Sequence, residues 1–397
     1  MQARSFDRRA LLRAGGATLA LGALSACANG PARLATLADN TTGYDPLPPL
    51  APIRAHADRI IAITVCTRPF RAAGPRIESE KLGRKTVVHH YGHGGSGWSL
   101  SWGSARLAVR EVLATNVPEI GIVGCGAIGL TSARVAQRAG LKVTIYAREL
   151  PPDVRSSRAT GVWSPDSRYC TAEALTPDGI ARWEAMARDS FQTYQTLLGL
   201  PGEPVEWRDG YALSDEAFGS HGGEMDGEPT YANLLPLIRS LWPRAQDIPR
   251  GAHPFPATYV RRYTQMIFNI SAYQRLLMAD FLASGGQIEV REFASPGDLE
   301  KLPQKTLINA TGYGARALFG DDSIVPVCGQ IARLVPQPEV DYGISYGSLN
   351  VVPRRDGIVV QTGAPGDFNN ADTTANRAES EAGVALLAKL MAGMRKT

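Results

Sequence analysis

At 397 residues, 44% hydrophobic and 20% charged, the chain can bury a large core and is long enough for two domains, which excludes a disordered protein. Its formal charge of +4 sits mostly at the start, where Arg4, Arg8, Arg9 and Arg13 against Asp7 leave about +1 for the rest, so a nucleic-acid partner gains no support. Five cysteines (27, 66, 125, 170 and 328) show neither a C-x-x-C nor a Cys/His cluster, and so give no sign of a metal site or a disulfide framework.

Residues 1–27 read as an export signal. Asp7 to Arg13 carries a twin-arginine pattern, and the apolar run from Ala14 to Ala23 is too short to span a bilayer. Leu24-Ser25-Ala26-Cys27 is similar to a lipobox, in which Cys27 would be lipidated and tether the protein to a membrane surface; the alternative is cleavage by an ordinary peptidase. The Pro-rich stretch 28–52 reads as an extended tether.

Ile60 to Thr67 reads as a strand ending at Arg68-Pro69-Phe70-Arg71, and Thr86 to Tyr91 as another, ending in the glycine-rich run 92–97. A helical pattern follows from Ser104 to Leu113, then a short link at 115–118. From Ile120 to Glu149 the chain reads strand, glycine turn, helix, strand, the pattern of a dinucleotide site. Gly124 allows the turn, Gly126 lets a pyrophosphate approach the backbone, and Gly129 lets the helix pack close, with Ala127 and Ile128 at the positive end of the helix. Glu149, preceded by Arg148, stands where an acidic residue holds ribose hydroxyls. Cys125, inside the turn, needs only to be small.

Ile180 to Leu198 has the spacing of an amphipathic helix, and 215–256 reads as a polar loop over the site. Ser271 to Ala283 reads as a helix, Gln287 to Arg291 and Leu307 to Asn309 as strands. Strand signals recur from Ile324 to Gln361, and Arg377 to Met391 closes the chain as a helix.

The run His89 to Gly103 resembles the flavin-binding signature of the D-amino-acid oxidase family, although in that family it closes the chain and here it precedes the dinucleotide strand. The other landmarks follow in the family's order: 148–153 with 156–165, Asn309-Ala310-Thr311-Gly312, Gly329-Gln330-Ile331 and Asn350-Val351-Val352-Pro353. The chain therefore resembles a circularly permuted member, with the old ends joined near Asn116. The resemblance implies an α/β fold, with a Rossmann-like FAD-binding domain (76–165 and 268–320) plus a mixed or antiparallel-sheet substrate domain (53–75, 166–267 and 321–391).

By the same resemblance, FAD would be held non-covalently by the glycine turn, Arg148, Glu149, Ser156, Ser157, Gly161, Val162, Thr311 and Gly312, with Gly94, Gly95, Gly97, Trp98 and Ser99 at the flavin. A cofactor held tightly also suits a twin-arginine route, which exports folded proteins. Arg68 matches the family's carboxylate-binding arginine, and Asn350 stands where the family has a tyrosine. Tyr346 matches an aromatic near the site mouth, and Asp166 either faces the substrate, caps a turn or pairs with Arg168. The implied reaction is oxidative deamination of D-amino acids by hydride transfer to flavin N5, with molecular oxygen as acceptor. The alternatives are a dehydrogenase feeding a membrane quinone, or a non-catalytic flavin-containing binding lipoprotein. His93 reads as structural.

Overall fold

Ile120 to Val123 lie at the centre of a largely parallel sheet. The computed structural model describes residues 44–219, 227–363 and 366–395, so the signal, the lipobox and Cys27 lie outside the described residues. In chain order the strands are β1 (Ile60–Arg71), β2 (Arg76–Leu82), β3 (Lys85–Tyr91), β4 (Glu119–Val123), β5 (Lys142–Ala147), β6 (Val205–Ser214), β7 (Gln246–Ile248), β8 (Tyr259–Phe268), β9 (Gln287–Val290), β10 (Thr306–Asn309), β11 (Ile324–Leu334), β12 (Tyr342–Tyr346), β13 (Leu349–Arg354) and β14 (Gly357–Thr362). The helices are α1 (Gly97–Leu113), α2 (Ala127–Arg138), α3 (Pro177–Gln195), α4 (Ile270–Ala283), α5 (Pro296–Glu300), α6 (Gly314–Phe319) and α7 (Arg377–Ala392).

Six strands form one sheet in the order β2-β3-β10-β4-β5-β9, and eight form the other in the order β1-β11-β14-β13-β12-β6-β8-β7. In the first, β3, β10, β4, β5 and β9 all run parallel, and only β2 is antiparallel to its neighbour. A parallel strand covered on both faces must be apolar or internally satisfied throughout, and every residue of β3 is buried. Its histidines comply: His89 bonds Glu80 Oε2 at 2.9 Å and Asn309 at 3.2 Å, and His90 Nδ1 bonds Ser132 Oγ at 2.9 Å. The second sheet is antiparallel except where β12 meets β6. The chain is thus α/β with mixed sheets.

Helices α1 and α2 pack together over the parallel sheet, α3 crosses α1, and α4 lies beside α2. Their core holds Trp102, Trp183, Tyr194, Phe268 and Tyr273, and the polar tips are met within it: Trp102 Nε1 donates to Tyr273 OH at 2.6 Å and Trp183 Nε1 to Pro165 O at 2.8 Å. At the crossing, Gly103 N donates to Ser190 Oγ at 2.9 Å.

Four differences from the sequence reading have physical causes. Strand β1 does not stop at Thr67 but runs to Arg71, placing Arg68 within it rather than at its end. Pro69 is tolerated because β1 is an edge strand and Pro69 stands opposite Pro326, another residue with no N–H to give. Helix α1 starts at Gly97, not Ser104, because Trp98 to Ser104 are all buried against its neighbours and packing outweighs the glycines' poor helix propensity. Strands β2, β6 and β8 were not legible, since their charged residues pair within or across strands, as Arg76 does with Glu78 at 2.6 Å and Arg262 with Asp209 at 2.6 Å. The tether over 28–52 ends sooner than expected. The compact unit begins at Pro46, Leu50 is buried, and Ala51 O accepts from Tyr342 OH at 2.7 Å.

A methyl group on Gly103 would stand 2.3 Å from Met186 O and 2.5 Å from its Cα, atoms of the α3 backbone that cannot swing aside. Alanine ordinarily gains about 1 kcal/mol over glycine in a helix, but here overpacking of about 1–3 kcal/mol opposes it. Gly103→Ala should therefore lower the midpoint of urea unfolding despite its better propensity.

Candidate active site

The two sheets flank one cleft of about 760 Å³, a size within the usual range of ligand sites. Its floor is the glycine turn. Gly124 has φ +112°, and a Cβ there would lie 2.4 Å from Ala310 O at the end of β10, so no other residue fits this approach of two strand ends. Gly126, Ala127 and Ile128 line the cleft, and Ala127 N donates to Ser156 Oγ at 3.0 Å. Cys125 is buried, and burial pushes its thiol up to about 12, so it stays protonated and inert.

A second wall comes from the loop after β3. Gly94 N donates to Pro69 O at 2.9 Å and Gly95 N to Ser167 O at 3.0 Å. A Cβ on Gly94, whose φ is +55°, would meet Arg168 O at 1.9 Å. The loop is thus wedged between β1 and the 164–168 turn. His93 lines the cleft here with both ring nitrogens buried and without a hydrogen-bond partner among the described residues. Burial lowers its pKa to about 3, so it is a neutral ring.

Arg148 ties Glu149 at 3.1 Å and Glu292 at 3.0 Å at the rim, and both Arg148 and Glu149 line the cleft. Gly161, Val162, Thr311, Gly312, Gly97 and Trp98 line it too, with Trp98 Nε1 donating to Ser156 O at 2.8 Å.

The structure leaves four expected residues off the cleft wall. Gly129 packs behind the turn, where a Cβ would lie 2.0 Å from Gly124 O. Ser99 faces the core because α1 has already begun at Gly97, and its Oγ accepts from Ser164 N at 2.8 Å instead of reaching the cleft. Ser157 Oγ is likewise buried away from it. Tyr346 ends β12 at the surface and donates to Asp215 at 2.7 Å.

On the substrate side, Arg68 and Asn350 both line the cleft. Arg68 donates from one terminal nitrogen to Cys328 O at 2.5 Å. Asn350 stands opposite Gln361 across β13 and β14; Gln361 also lines the cleft and its Oε1 accepts from Thr160 at 2.7 Å. Arg71, by contrast, is engaged with Ser323 at 2.8 Å and Gly74 O at 2.9 Å. Arg168 pairs with Glu228, Nε to Oε2 at 3.0 Å, not with Asp166, and Tyr231 OH donates to the same carboxylate at 2.6 Å. Burial pushes Glu228 up, but the Arg168 and Tyr231 hydrogen bonds outweigh it and hold the carboxyl below its ordinary value.

Five arginines line the cleft. Arg148, Arg168 and Arg291 each have a carboxylate within 4 Å, whereas Arg68 and Arg155 have none among the described residues. Arg155, which the sequence reading passed over, is half-buried with its guanidinium 5.3 Å from the Tyr313 ring centroid. Arg155 lies in the segment that follows the second dinucleotide strand, next to Ser156.

A family model described as DAO, FAD dependent oxidoreductase, matches residues 119–396, more than half of the chain. The chain belongs to this family. Among curated DAO relatives, D-amino-acid oxidase of Rubrobacter xylanophilus is 28% identical over 248 residues, covering 59% of this chain and 65% of that protein. That of Streptomyces coelicolor is 29% identical over 214 residues, covering 54% and 58%. The chain therefore spans about three fifths of the length of these relatives. A solved structure, glycine oxidase from Geobacillus kaustophilus, aligns at 15% identity over 70% of this chain and 78% of that one, with a TM-score of 0.47.

FAD is the cofactor of the DAO family, and the cleft fits it. The glycine turn offers bare backbone beside the N-terminus of α2, and Arg155 offers a diphosphate a guanidinium with no carboxylate within 4 Å among the described residues.

Asp166 does not line the cleft, and burial raises its pKa to about 6. A carboxyl raised on folding binds its proton more tightly in the native state, so stability is full below about pH 4, the unfolded value, and falls as pH rises through about 6. Asp166→Asn should remove that decline and gain about 2 kcal/mol at pH 7. Thermal unfolding of both proteins from pH 4 to pH 7 checks it.

Proposed function

We propose that the chain is an FAD-dependent D-amino-acid oxidase, converting D-amino acids to 2-oxo acids, ammonia and hydrogen peroxide. The observation that carries this reading is the pair of cleft arginines with no carboxylate within 4 Å among the described residues, Arg155 near the dinucleotide turn and Arg68 on the eight-stranded sheet. A diphosphate and a carboxylate are the anions such cations await. The named relatives that the chain matches are D-amino-acid oxidases.

Bound FAD supplies the acceptor for the hydride that leaves the substrate's α-carbon. The chain supplies orientation and charge. Arg68 grips the α-carboxylate through its remaining donors, a planar fork suited to two oxygens. Asn350 and Gln361, a cross-strand amide pair, stand where they can donate to the same end of the substrate. Gly94 N and Gly95 N are taken up by Pro69 O and Ser167 O, which leaves Gly97 as the glycine of this loop whose amide can stabilise charge that builds during the reaction. His93 is neutral, and a hydride mechanism asks no base of it.

We further propose that the chain is circularly permuted. The family match begins at residue 119, while β3 and its glycine loop precede β4 and still line the same cleft. The twin-arginine pattern and Cys27 support export to the cell envelope with a lipid anchor.

Added D-alanine or D-methionine should bleach the flavin without oxygen and release peroxide with it, and L-isomers should not. If no D-amino acid bleaches the flavin, the reading is wrong; bleaching with transfer to a quinone and no peroxide makes the chain a dehydrogenase. Acid precipitation should leave a yellow supernatant, since no flavin-attachment motif is present, and colour retained in the pellet would mean covalent FAD. Arg68→Met should lower kcat/KM about a thousandfold, about 4 kcal/mol, with FAD still bound. Arg68→Lys should restore only part of it, because a point charge does not reproduce the fork.

A further inference from the structure

We infer that Gly329 is a positioning residue for Arg68: bare backbone at this point of β11 is the seat on which the guanidinium lies. The inference rests on the reading that Arg68 holds the substrate's carboxylate. Strands β1 and β11 are antiparallel, with Arg68 opposite Val327 and Cys66 opposite Gly329, so Arg68 and position 329 share a face of the sheet. Arg68 does not stand away from that face but folds down along β11. One terminal nitrogen donates to Cys328 O at 2.5 Å. A Cβ on Gly329 would lie 2.3 Å from both terminal nitrogens and 2.5 Å from Cζ, so the guanidinium occupies the very space a side chain would need.

The backbone itself does not ask for glycine here. Gly329 is inside a strand, buried, and outside the left-handed region, and a glycine in a strand interior weakens the strand. The three atoms nearest a Cβ at this position all belong to the guanidinium. Arg68 has no carboxylate within 4 Å among the described residues, so Cys328 O and this seat are what fix it. The seat consumes no donor. One N–H goes to Cys328 O, and four of guanidinium's five remain for a ligand. Because the clash would involve the far end of a flexible side chain, a methyl group at 329 should displace Arg68 and leave the sheet intact.

The experiment is a double-mutant cycle on the FAD-loaded protein with Gly329→Ala, Arg68→Met and the pair. The readouts are the dissociation constant of benzoate, taken from the shift in flavin absorption, and KM against kcat for D-alanine. Gly329→Ala should keep FAD and its thermal midpoint, weaken benzoate at least tenfold and raise KM by a similar factor. In the Arg68→Met background the same change should alter benzoate binding less than twofold, because the group it displaces is gone. Unchanged benzoate affinity in Gly329→Ala overturns the inference, and so does an equal loss in both backgrounds. Failure of Gly329→Ala to fold in both backgrounds overturns it too, whereas folding only with Arg68→Met supports it. Arg68→Met that still binds benzoate as tightly as the unaltered protein sinks instead the reading of Arg68 as the carboxylate site.

Discussion

At one wall of the cleft the two sheets meet through a few ångströms of bare backbone. Gly94 N reaches Pro69 O on β1, and Gly95 N reaches Ser167 O on the turn that follows the dinucleotide unit. These bonds join an edge strand of one sheet to the loop after β3 of the other, and any Cβ on Gly94 would strike Arg168 O. The cleft exists because that joint is thin. A thicker one would push β1, and Arg68 with it, away from the floor set by Gly124 and Ala310.

Charge along the cleft is arranged by the same economy. Most of its arginines are spent on structure: Arg148 on Glu149 and Glu292, Arg168 on Glu228. A buried ion pair such as Arg168–Glu228 contributes little net stability but costs several kcal/mol to break from one side. It fixes the 164–168 turn and, through Ser167 O, the loop at Gly95. Arg68 and Arg155, with no carboxylate within 4 Å among the described residues, are the ones left open on the cleft wall.

How far this was legible depended on the range of the signal. The glycine turn announces itself because Gly124 needs a backbone conformation few residues adopt. Arg68 was legible only through resemblance, and the space it takes over Gly329 through neither pattern nor composition, since the two are 261 positions apart in chain and meet by strand pairing. The Arg168–Glu228 pair spans 60 positions and left no local trace. Ser99 and Tyr346 show the opposite failure, where a motif position was carried over but local structure redirected the side chain, one into a helix that starts early and one to a strand end. Charged strands β6 and β8 hid because their counter-ions came from neighbouring positions in the sheet, Asp209 for Arg262 and Asp247 for Arg261.

The strand order of the parallel sheet has a kinetic consequence. β3 and β4 lie on either side of β10, yet β10 comes at Thr306–Asn309, long after both. During synthesis the two early strands emerge with an empty slot between them, and neither completes its hydrogen-bond ladder until the last third of the chain arrives. Contacts so distant in sequence form slowly. The C-terminal end of β10 also matters to the cleft, since Ala310 O closes over Gly124. The floor of the pocket is thus incomplete until this four-residue strand is in place.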